Sequence, residues 1–432
     1  MPHPGRRDFL RVIAGGAAGA ALPSLLPLSA SGAPPLPRLR VANPPGPFAD
    51  EAYWRLVKAQ FPLREGLIPM NAANLGPAPR PVVDAVTAAM RAVEADVSFQ
   101  NRATYDELRE RLRKRLAGYL GVAGDEIAIV RNTSEANNIL AGGMPLGSGD
   151  EIVLHAENHA SNSAAWEVRA ARSGFTVRRV SVRADMTHDD MLAAFASALT
   201  TRTRVLSFTD VSNVTGIRLP VRALCELGRQ RGIHVHVDGA QSFGMLRLNL
   251  AELGCDSYAT SAHKWFLGPK EAGLLYMRAA VAPRVWPGVV SIGWGSGAES
   301  TLAGARRFEA LGQRNDATIA GLDAALTFHE QIGADTIEAR VLELAAALKD
   351  RLAAVPGAEL ITPRDAERSG GVVIVRFGTV DTRALFERLY RDAGIVAAAT
   401  GGLRLCPHIC NTLADVEHAA SATARFVEAA PT

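Results

Sequence analysis

Short apolar runs alternate with amphipathic stretches along the middle of this chain. Four of the runs predict buried strands, at residues 126–130, 151–154, 205–209 and 234–238. Segments with helical spacing lie between the strands, and the alternation extends over residues 127–277. Because strands that alternate with helices are typical of a mostly parallel sheet, the pattern predicts an α/β fold.

Helical spacing also predicts helices before this region, near residues 49–60, at 81–97 and at 105–120. After it, the pattern predicts one long helix at 323–355. The C-terminal part then predicts an α+β arrangement. Its elements are a strand at 372–377 and helices at 382–393 and 414–428.

These elements predict two domains behind an N-terminal leader. We expect a large domain at residues 67–320 and a smaller α+β domain at 321–432, with the helix in residues 49–66 belonging to the smaller one. Residues 34–48 are rich in proline and predict an extended linker.

The first 33 residues predict an export signal. Arg6-Arg7-Asp8-Phe9-Leu10 precedes a weakly apolar stretch at 12–28 and then small residues, a pattern typical of twin-arginine signal peptides. The stretch is too short and too rich in glycine for a stable membrane span. We therefore expect the twin-arginine translocase to export the folded protein to the periplasm.

Composition narrows the possible partners. The formal net charge is only +3, and no run of basic residues occurs, so the sequence does not favour nucleic acid or anionic lipid. Four cysteines without a framework pattern predict no disulfide scaffold.

Two residues near the middle of the chain suit a cofactor that is both a base and an aldehyde. Asp238 ends the strand in His234-Val-His-Val-Asp238, and Lys264 follows in Ser261-Ala-His263-Lys264. An acid at a strand end can keep a ring nitrogen protonated, and a lysine amine can bond covalently to an aldehyde. Pyridoxal phosphate requires both groups, although a capping Asp and a surface Lys would each look the same alone.

Other polar clusters also follow predicted strands, where open α/β sheets place their ligands. Thr133 or Ser134 is expected to cap a helix whose N-terminus would face an anion. His159 lies where an imidazole could cover a cofactor ring, and Asn213 could donate to a ring oxygen. A plain helix cap, a solvated histidine and an Asn-Gly turn remain the alternatives.

The order and content of these clusters resemble the class V aminotransferases, a branch of the fold-type-I pyridoxal-phosphate enzymes that includes cysteine desulfurases and isopenicillin N epimerase. The resemblance extends from about residue 68 to residue 426. It implies that Lys264 binds the cofactor covalently and acts as a general base, and that Asp238 pairs with the pyridine nitrogen. It also implies that His159 stacks on the ring and that Gln241 and Asn213 lie near its hydroxyl. The phosphate would be held by Thr133, Ser134, Ser261 and His263.

The resemblance also bears on the substrate. Arg404 matches the arginine that clamps a substrate α-carboxylate, for which a planar guanidinium is well suited. The loop containing Asn74 could line the same site. The family further implies a homodimer, in which a Gly-Thr pair reaches the phosphate of the neighbouring subunit. Gly312-Gln313 stands here instead, so an amide replaces the hydroxyl.

The chain departs from the desulfurases in one segment. They carry a nucleophilic cysteine before the clamp arginine, whereas Ala397-Ala-Ala-Thr-Gly-Gly402 is short and has none. Cys406 shares a strand face with Arg404, but buried packing is the expected role. A metal site at Cys406, His408 and Cys410 is not predicted, since a second ligand pair is missing.

We therefore predict a periplasmic pyridoxal-phosphate enzyme that acts on an amino acid or a peptide carrying one, with transamination as the first hypothesis. Epimerisation, β-lyase or desulfurase chemistry, and binding of the cofactor or another ligand without turnover are the alternatives. The export signal together with the family is similar to exported class V aminotransferases that tailor the siderophore pyoverdine.

Overall fold

Strands in the computed structural model, which describes residues 50–291 and 303–430, form two main sheets and one short pair. In chain order the strands are β1 (Ile68–Pro69), β2 (Ile127–Val130), β3 (Glu151–His155), β4 (Thr176–Val180), β5 (Thr203–Thr209), β6 (His234–Asp238), β7 (Ser257–Ser261), β8 (Gly273–Met277), β9 (Ala358–Leu360), β10 (Val373–Phe377), β11 (Ile395–Val396), β12 (Ala398–Ala399) and β13 (Leu403–Leu405).

The central sheet has seven strands among the described residues, in the order β2-β8-β7-β6-β5-β3-β4. The pairs from β4 to β7 are parallel, and β8 is antiparallel to both of its neighbours. Every residue of β3, β6 and β7 is buried. Only β3 has a continuous apolar run, as expected of a strand covered on both faces, so the polar residues of β6 and β7 are buried inside the sheet as well. The predicted α/β fold with a mostly parallel sheet is confirmed.

Helices occupy much of the chain between the strands. They are α1 (Glu51–Lys58), α2 (Arg80–Ala95), α3 (Phe99–Leu120), α4 (Thr133–Gly143), α5 (Ala160–Ser173), α6 (His188–Ala198), α7 (Val221–Gln230), α8 (Leu250–Leu253), α9 (Asp316–Ile332), α10 (Ala334–Ala353), α11 (Thr382–Ala393) and α12 (Leu413–Glu428).

Two helix predictions need correction. The segment predicted as one helix at 323–355 is two, α9 and α10, separated by Gly333 at φ +93°. This backbone conformation is open to glycine and cannot continue a helix. The helix predicted to begin at residue 105 begins at Phe99, because the Ser98 side chain accepts a hydrogen bond from the Asn101 N–H and caps it.

The C-terminal elements form a smaller layer. Its four-stranded sheet has the order β12-β13-β10-β9, and all of its pairs are antiparallel. Apolar residues of α10, α11 and α12 pack together with β10 and β13 in a separate core cluster. The short strand β1 pairs in parallel with β11, which joins the N-terminal chain to this part.

The described residues group as one compact unit by their contacts, so the division at residue 320 stays a prediction. The predicted signal peptide and linker lie outside the described residues. Among the helices that are described, none combines the length and the apolar character required to cross a bilayer.

Candidate active site

Asp238 is a buried carboxylate at the C-terminal end of β6. Its Oδ2 accepts hydrogen bonds from Asn137 Nδ2 at 2.9 Å and from Asn162 Nδ2 at 3.4 Å, and its Oδ1 accepts one from the Ala240 N–H at 3.1 Å. Only 1% of the residue is exposed. A carboxylate offers about four acceptor sites, so Asp238 can accept a further N–H.

Lys264 follows β7 in a turn that the N-terminal loop holds in place. The Gly76 N–H donates to the His263 carbonyl at 2.8 Å, and a Cβ on Gly76 would lie 2.1 Å from the Lys264 carbonyl oxygen. Glycine is therefore required for this close approach. Desolvation lowers the pKa of Lys264 and the nearby Arg404 lowers it further, whereas Asp238 opposes the shift. A lower pKa leaves more of the amine neutral and nucleophilic.

The start of α4 lies against the end of β7. The Thr133 N–H donates to Ser261 Oγ at 2.8 Å, and the two hydroxyl groups are 2.7 Å apart. The capping residue is Asn132, whose side chain accepts from the Glu135 N–H, so the prediction of Thr133 or Ser134 as the cap was wrong. Thr133 lies in the first turn, and its N–H is bonded to Ser261. Ser134 follows it in the same turn, beside a surface cavity.

His159 lies at the N-terminus of α5 and is exposed. Its Nδ1 accepts from the Ser161 N–H at 3.2 Å, so the neutral ring carries its proton on Nε2. Desolvation and the charges of Lys264 and Arg404 lower the pKa of His159, against the influence of Asp238. The ring is therefore within electrostatic reach of all three charged groups.

His263 is half-buried next to Lys264. Desolvation, with the charges of Lys264 and Lys270, lowers the pKa of His263 to about 4. It is therefore neutral near pH 7 and can offer a hydrogen bond to an anion without carrying charge.

Gln241 is buried between the loop that contains Ala73 and the turn that contains Trp265. Its Nε2 donates to the Ala73 carbonyl at 3.1 Å, and its Oε1 accepts from Trp265 Nε1 at 2.8 Å. These bonds show a bracing role for Gln241, and one amide hydrogen remains available for a ring oxygen.

Arg404 on β13 is 5% exposed and faces the same region. Its guanidinium donates to the Asn213 carbonyl at 3.0 Å and to Asn71 Oδ1 at 3.1 Å, while its buried Nε has no partner among the described residues. The bond to Asn213 brings the loop after β5 against Arg404, the predicted clamp for a substrate carboxylate. Asn213 therefore contributes its main chain here, which the sequence did not predict.

Arg404 lines a cleft of about 860 Å³ together with Asn74, so these two predicted substrate residues are brought together. The remaining wall comes from the loop after β1, from the start of α11 and from the segment around the hairpin that joins β12 to β13. Its residues are Asn71, Asp381, Thr382, Arg383, Phe386, Ala397, Ala398, Ala399, Thr400, Gly401 and Gly402.

Gln313 lies elsewhere. It is exposed, accepts a hydrogen bond from Arg102 at 2.5 Å, and lines a different cavity from that of Arg404. Within this chain it is not part of the cluster around Lys264.

The segment that carries the nucleophile in desulfurases is a tight hairpin here. The Thr400 N–H donates to the Gly402 carbonyl at 2.9 Å, and Gly401 adopts φ +73°. Cys406 is fully buried, and burial raises the pKa of its thiol even though Arg404 and Lys264 favour ionisation. A buried, protonated thiol is a poor nucleophile. His408 Nε2 is 2.6 Å from the Trp265 carbonyl, so this ring braces the turn after Lys264.

Asn137 and Asn162 were missed by the sequence analysis. They come from α4 and α5, 101 and 76 residues before Asp238, and both donate to its carboxylate. Their signal was only a polar residue on the buried face of a helix, and that does not identify a partner.

The residues present fit pyridoxal phosphate. Asp238 retains an acceptor site for the ring N–H, Lys264 provides an amine of lowered pKa, and the hydroxyls of Thr133 and Ser261 meet at the positive end of α4. When bound, this cofactor supplies an electron sink for bonds at the Cα of an amino acid.

The family model for class V aminotransferases matches residues 72–426. The chain belongs to this family. Isopenicillin N epimerase from Amycolatopsis lactamdurans is 33% identical over 389 residues, which cover 85% of this chain and 97% of that protein. A cysteine desulfurase from Klebsiella pneumoniae (strain 342) is 36% identical over 304 residues, covering 68% of this chain and 72% of the relative.

Solved structures agree with this assignment. A C-DES mutant with glycine covalently linked to its PLP cofactor matches with a TM-score of 0.79 and 26% identity, covering 85% of this chain and 98% of that one. The desulfurase CsdA from Escherichia coli has a TM-score of 0.77 at 24% identity, covering 88% and 99%, and supports the fold. The protein is thus a fold-type-I enzyme whose cofactor is pyridoxal phosphate.

Proposed function

We propose that this enzyme moves the Cα proton of an α-amino acid, and that transfer of the amino group is the net reaction. The observation that carries the proposal is the difference between Lys264 and His159. The lowered pKa of Lys264 favours an amine that accepts a proton, whereas His159 Nδ1 is occupied by the Ser161 N–H and its lowered pKa favours the neutral ring. Transamination moves one proton between two atoms of the joined substrate and cofactor, on one face of the cofactor ring. A single proton carrier on that face is therefore sufficient.

The test is a screen of the purified enzyme with candidate amino acids. A keto acid together with pyridoxamine phosphate is the expected result. Sulfide with alanine would indicate a lyase, and no spectral change with any amino acid would favour a binding protein. Either result would contradict transamination.

Epimerisation is the second candidate, favoured by the similarity to isopenicillin N epimerase across 97% of that protein. Inversion at Cα requires proton carriers on both faces, so His159 would have to take part. Scrambled stereochemistry without keto acid, lost in His159→Asn but retained in Ser161→Gly, would establish this reaction in place of transamination.

The substrate in this proposal has a long side chain, such as an amino acid carried on a peptide. Ala398 lies directly opposite Arg404 in the antiparallel pair of β12 and β13, so both side chains face the cleft. Because the hairpin is short and Ala398 is small, the cleft beside the clamp is open as far as Phe386 on α11. Free cysteine would leave most of 860 Å³ unfilled.

Ala398→Phe tests the size of the substrate. It should weaken binding of long-chain amino acids at least about tenfold and leave alanine unaffected, because the new ring fills the space beside Arg404. Ala354→Phe, on an exposed residue outside the cleft, is the matched control. Equal losses for long and short amino acids would contradict the assignment of the cleft.

Export to the periplasm by the twin-arginine translocase is also part of the proposal. Its support is the Arg6-Arg7-Asp8-Phe9-Leu10 motif, and the role in siderophore tailoring rests on analogy alone. Arg6→Lys with Arg7→Lys should retain the protein in the cytoplasm, as shown by cell fractionation. Periplasmic activity of this double variant would reject the route.

We further propose a homodimer in which Gln313 of one copy approaches the phosphate site of the other. The exposed position of Gln313, away from its own Lys264 cluster, supports this arrangement. Light scattering should give twice the chain mass. A monomer with full activity would exclude the shared site.

A further inference from the structure

Buried polar side chains form a continuous chain that starts at Asp238. Asn137 donates to Asp238 Oδ2, and the Oδ1 of the same amide lies 2.9 Å from His236 Nε2. His236 Nδ1 is 2.8 Å from Ser257 Oγ, which is itself 2.9 Å from His234 Nε2. All five residues are at most 5% exposed. The chain therefore connects the carboxylate at the end of β6 to the first residue of the same strand.

Only one direction of donation fits this chain. A carboxylate can only accept, so the NH₂ of Asn137 must face Asp238 and its oxygen must face His236. His236 must then carry its proton on Nε2, which leaves Nδ1 to accept the Ser257 hydroxyl proton. Because the hydroxyl proton of Ser257 is donated to His236, Ser257 Oγ can only accept from His234 Nε2. Every donor is thus directed toward Asp238.

Burial keeps both imidazoles neutral, as this direction requires. Desolvation lowers the pKa of His236 to about 3, and the neighbouring His234 contributes to the shift. Desolvation lowers the pKa of His234 to about 4, where Arg284 and Arg278 add to the effect and Asp256 opposes it. Each ring therefore has one protonated and one unprotonated nitrogen near pH 7.

We propose that Asn137, His236, Ser257 and His234 are positioning residues that act through Asp238, because their aligned bonds hold its carboxylate as the acceptor for the ring nitrogen of the cofactor. Aligned hydrogen bonds polarise one another by roughly 10–30% per bond, so a residue that never touches the cofactor contributes to the strength of the last bond. The expected influence falls with each step along the chain.

The tautomers give a direct test in the holoenzyme. With ¹⁵N-labelled histidine, NMR should show a protonated Nε2 and a bare Nδ1 for both His234 and His236, unchanged between pH 6 and 8. A protonated Nδ1 on His236, or a charged ring, would overturn the proposal.

Variants test whether the chain influences the cofactor. His236→Leu should weaken binding of pyridoxal phosphate by about three- to tenfold. When the absorbance of the bound cofactor is followed during acidification, its midpoint of change should lie at higher pH in this variant than in the wild type. His236→Gln should restore both within about twofold, since its amide N–H can still donate to Asn137. Ser257→Ala should give a smaller shift in the same direction.

His155→Leu is the matched control. His155 is equally buried, but both of its ring nitrogens lack a partner among the described residues. It should leave cofactor binding and the pH profile unchanged. If His236→Leu and His155→Leu behave alike, or if folded Ser257→Ala has no effect on either measurement, the four residues have only a packing role.

Discussion

His236 on β6 and His155 on β3 are the same residue in nearly the same setting. Both are fully buried in the central sheet, and burial lowers the pKa of His236 to about 3 and that of His155 to about 4. Yet both nitrogens of His236 are hydrogen-bonded, one to Asn137 and one to Ser257, in the chain that ends at Asp238. The His155 ring instead lies 6.1 Å from the Phe195 ring centre, and its nitrogens have no polar partner in the part of the chain that the structure describes. Burial and a lowered pKa therefore do not identify a functional histidine; its partners do.

The largest effect is expected at Lys264, which follows the end of β7 and is not part of the hydrogen-bonded chain through His236. Lys264→Ala should abolish covalent attachment of the cofactor, because no other amine is placed beside Asp238 in the described site. Mass spectrometry after borohydride reduction should find the adduct on the wild-type peptide only. An adduct that persists in the variant would remove Lys264 from its role.

Asp238→Ala removes the acceptor toward which the bonds of His236 are directed. Turnover should fall by about a thousandfold while some cofactor still binds, because the ring nitrogen loses its anionic partner. Steady-state kinetics with saturating pyridoxal phosphate measure this, with His155→Leu as the unaffected control. Wild-type turnover in Asp238→Ala would contradict the electron-sink role.

Arg404→Ala affects the substrate rather than the region of Asp238. The KM for an amino acid should rise by about thirtyfold, since a charge-assisted bidentate contact contributes about 2 kcal/mol, while cofactor affinity should change little. Arg404→Lys should recover only part of the loss. Unchanged KM in Arg404→Ala would reject the clamp.

The smallest effect on activity is expected for His155→Leu, where the change concerns stability instead. Burial holds the folded-state pKa of His155 at about 4, below its ordinary value of 6.5, so the unfolded chain binds the proton more tightly. Stability in the wild type is therefore fully present above pH 6.5 and is lost as pH falls toward 4, by on the order of 3 kcal/mol at most.

His155→Leu should lack this loss. Denaturant unfolding should thus show the variant gaining relative stability at pH 5 compared with pH 7.5. An equal difference at both pH values would mean that His155 does not titrate in this window.

Local pattern predicted much of the site. Asp238 and Thr133 each follow a strand with a clear apolar run, and parallel strands bring such ends to one edge. Arg404 instead comes from the separate antiparallel sheet. Boundaries were less predictable. The sequence predicted Thr133 or Ser134 as the cap of α4, whereas Asn132 accepts from the Glu135 N–H and the Thr133 N–H is bonded to Ser261, more than a hundred residues later.

The sequence by itself determined the alternation of strands and helices in the middle of the chain, the acid and the lysine after strands, and the missing cysteine in residues 397–402, because these depend on residue type and short spacing. Only the tertiary structure decided which buried polar groups meet. Asn137 and Ser257 reach Asp238 and His236 across three different elements, and His155 reaches no such group among residues 50–291 and 303–430. Hydrogen bonds act over about 3 Å in space, and that distance is not encoded in separation along the chain.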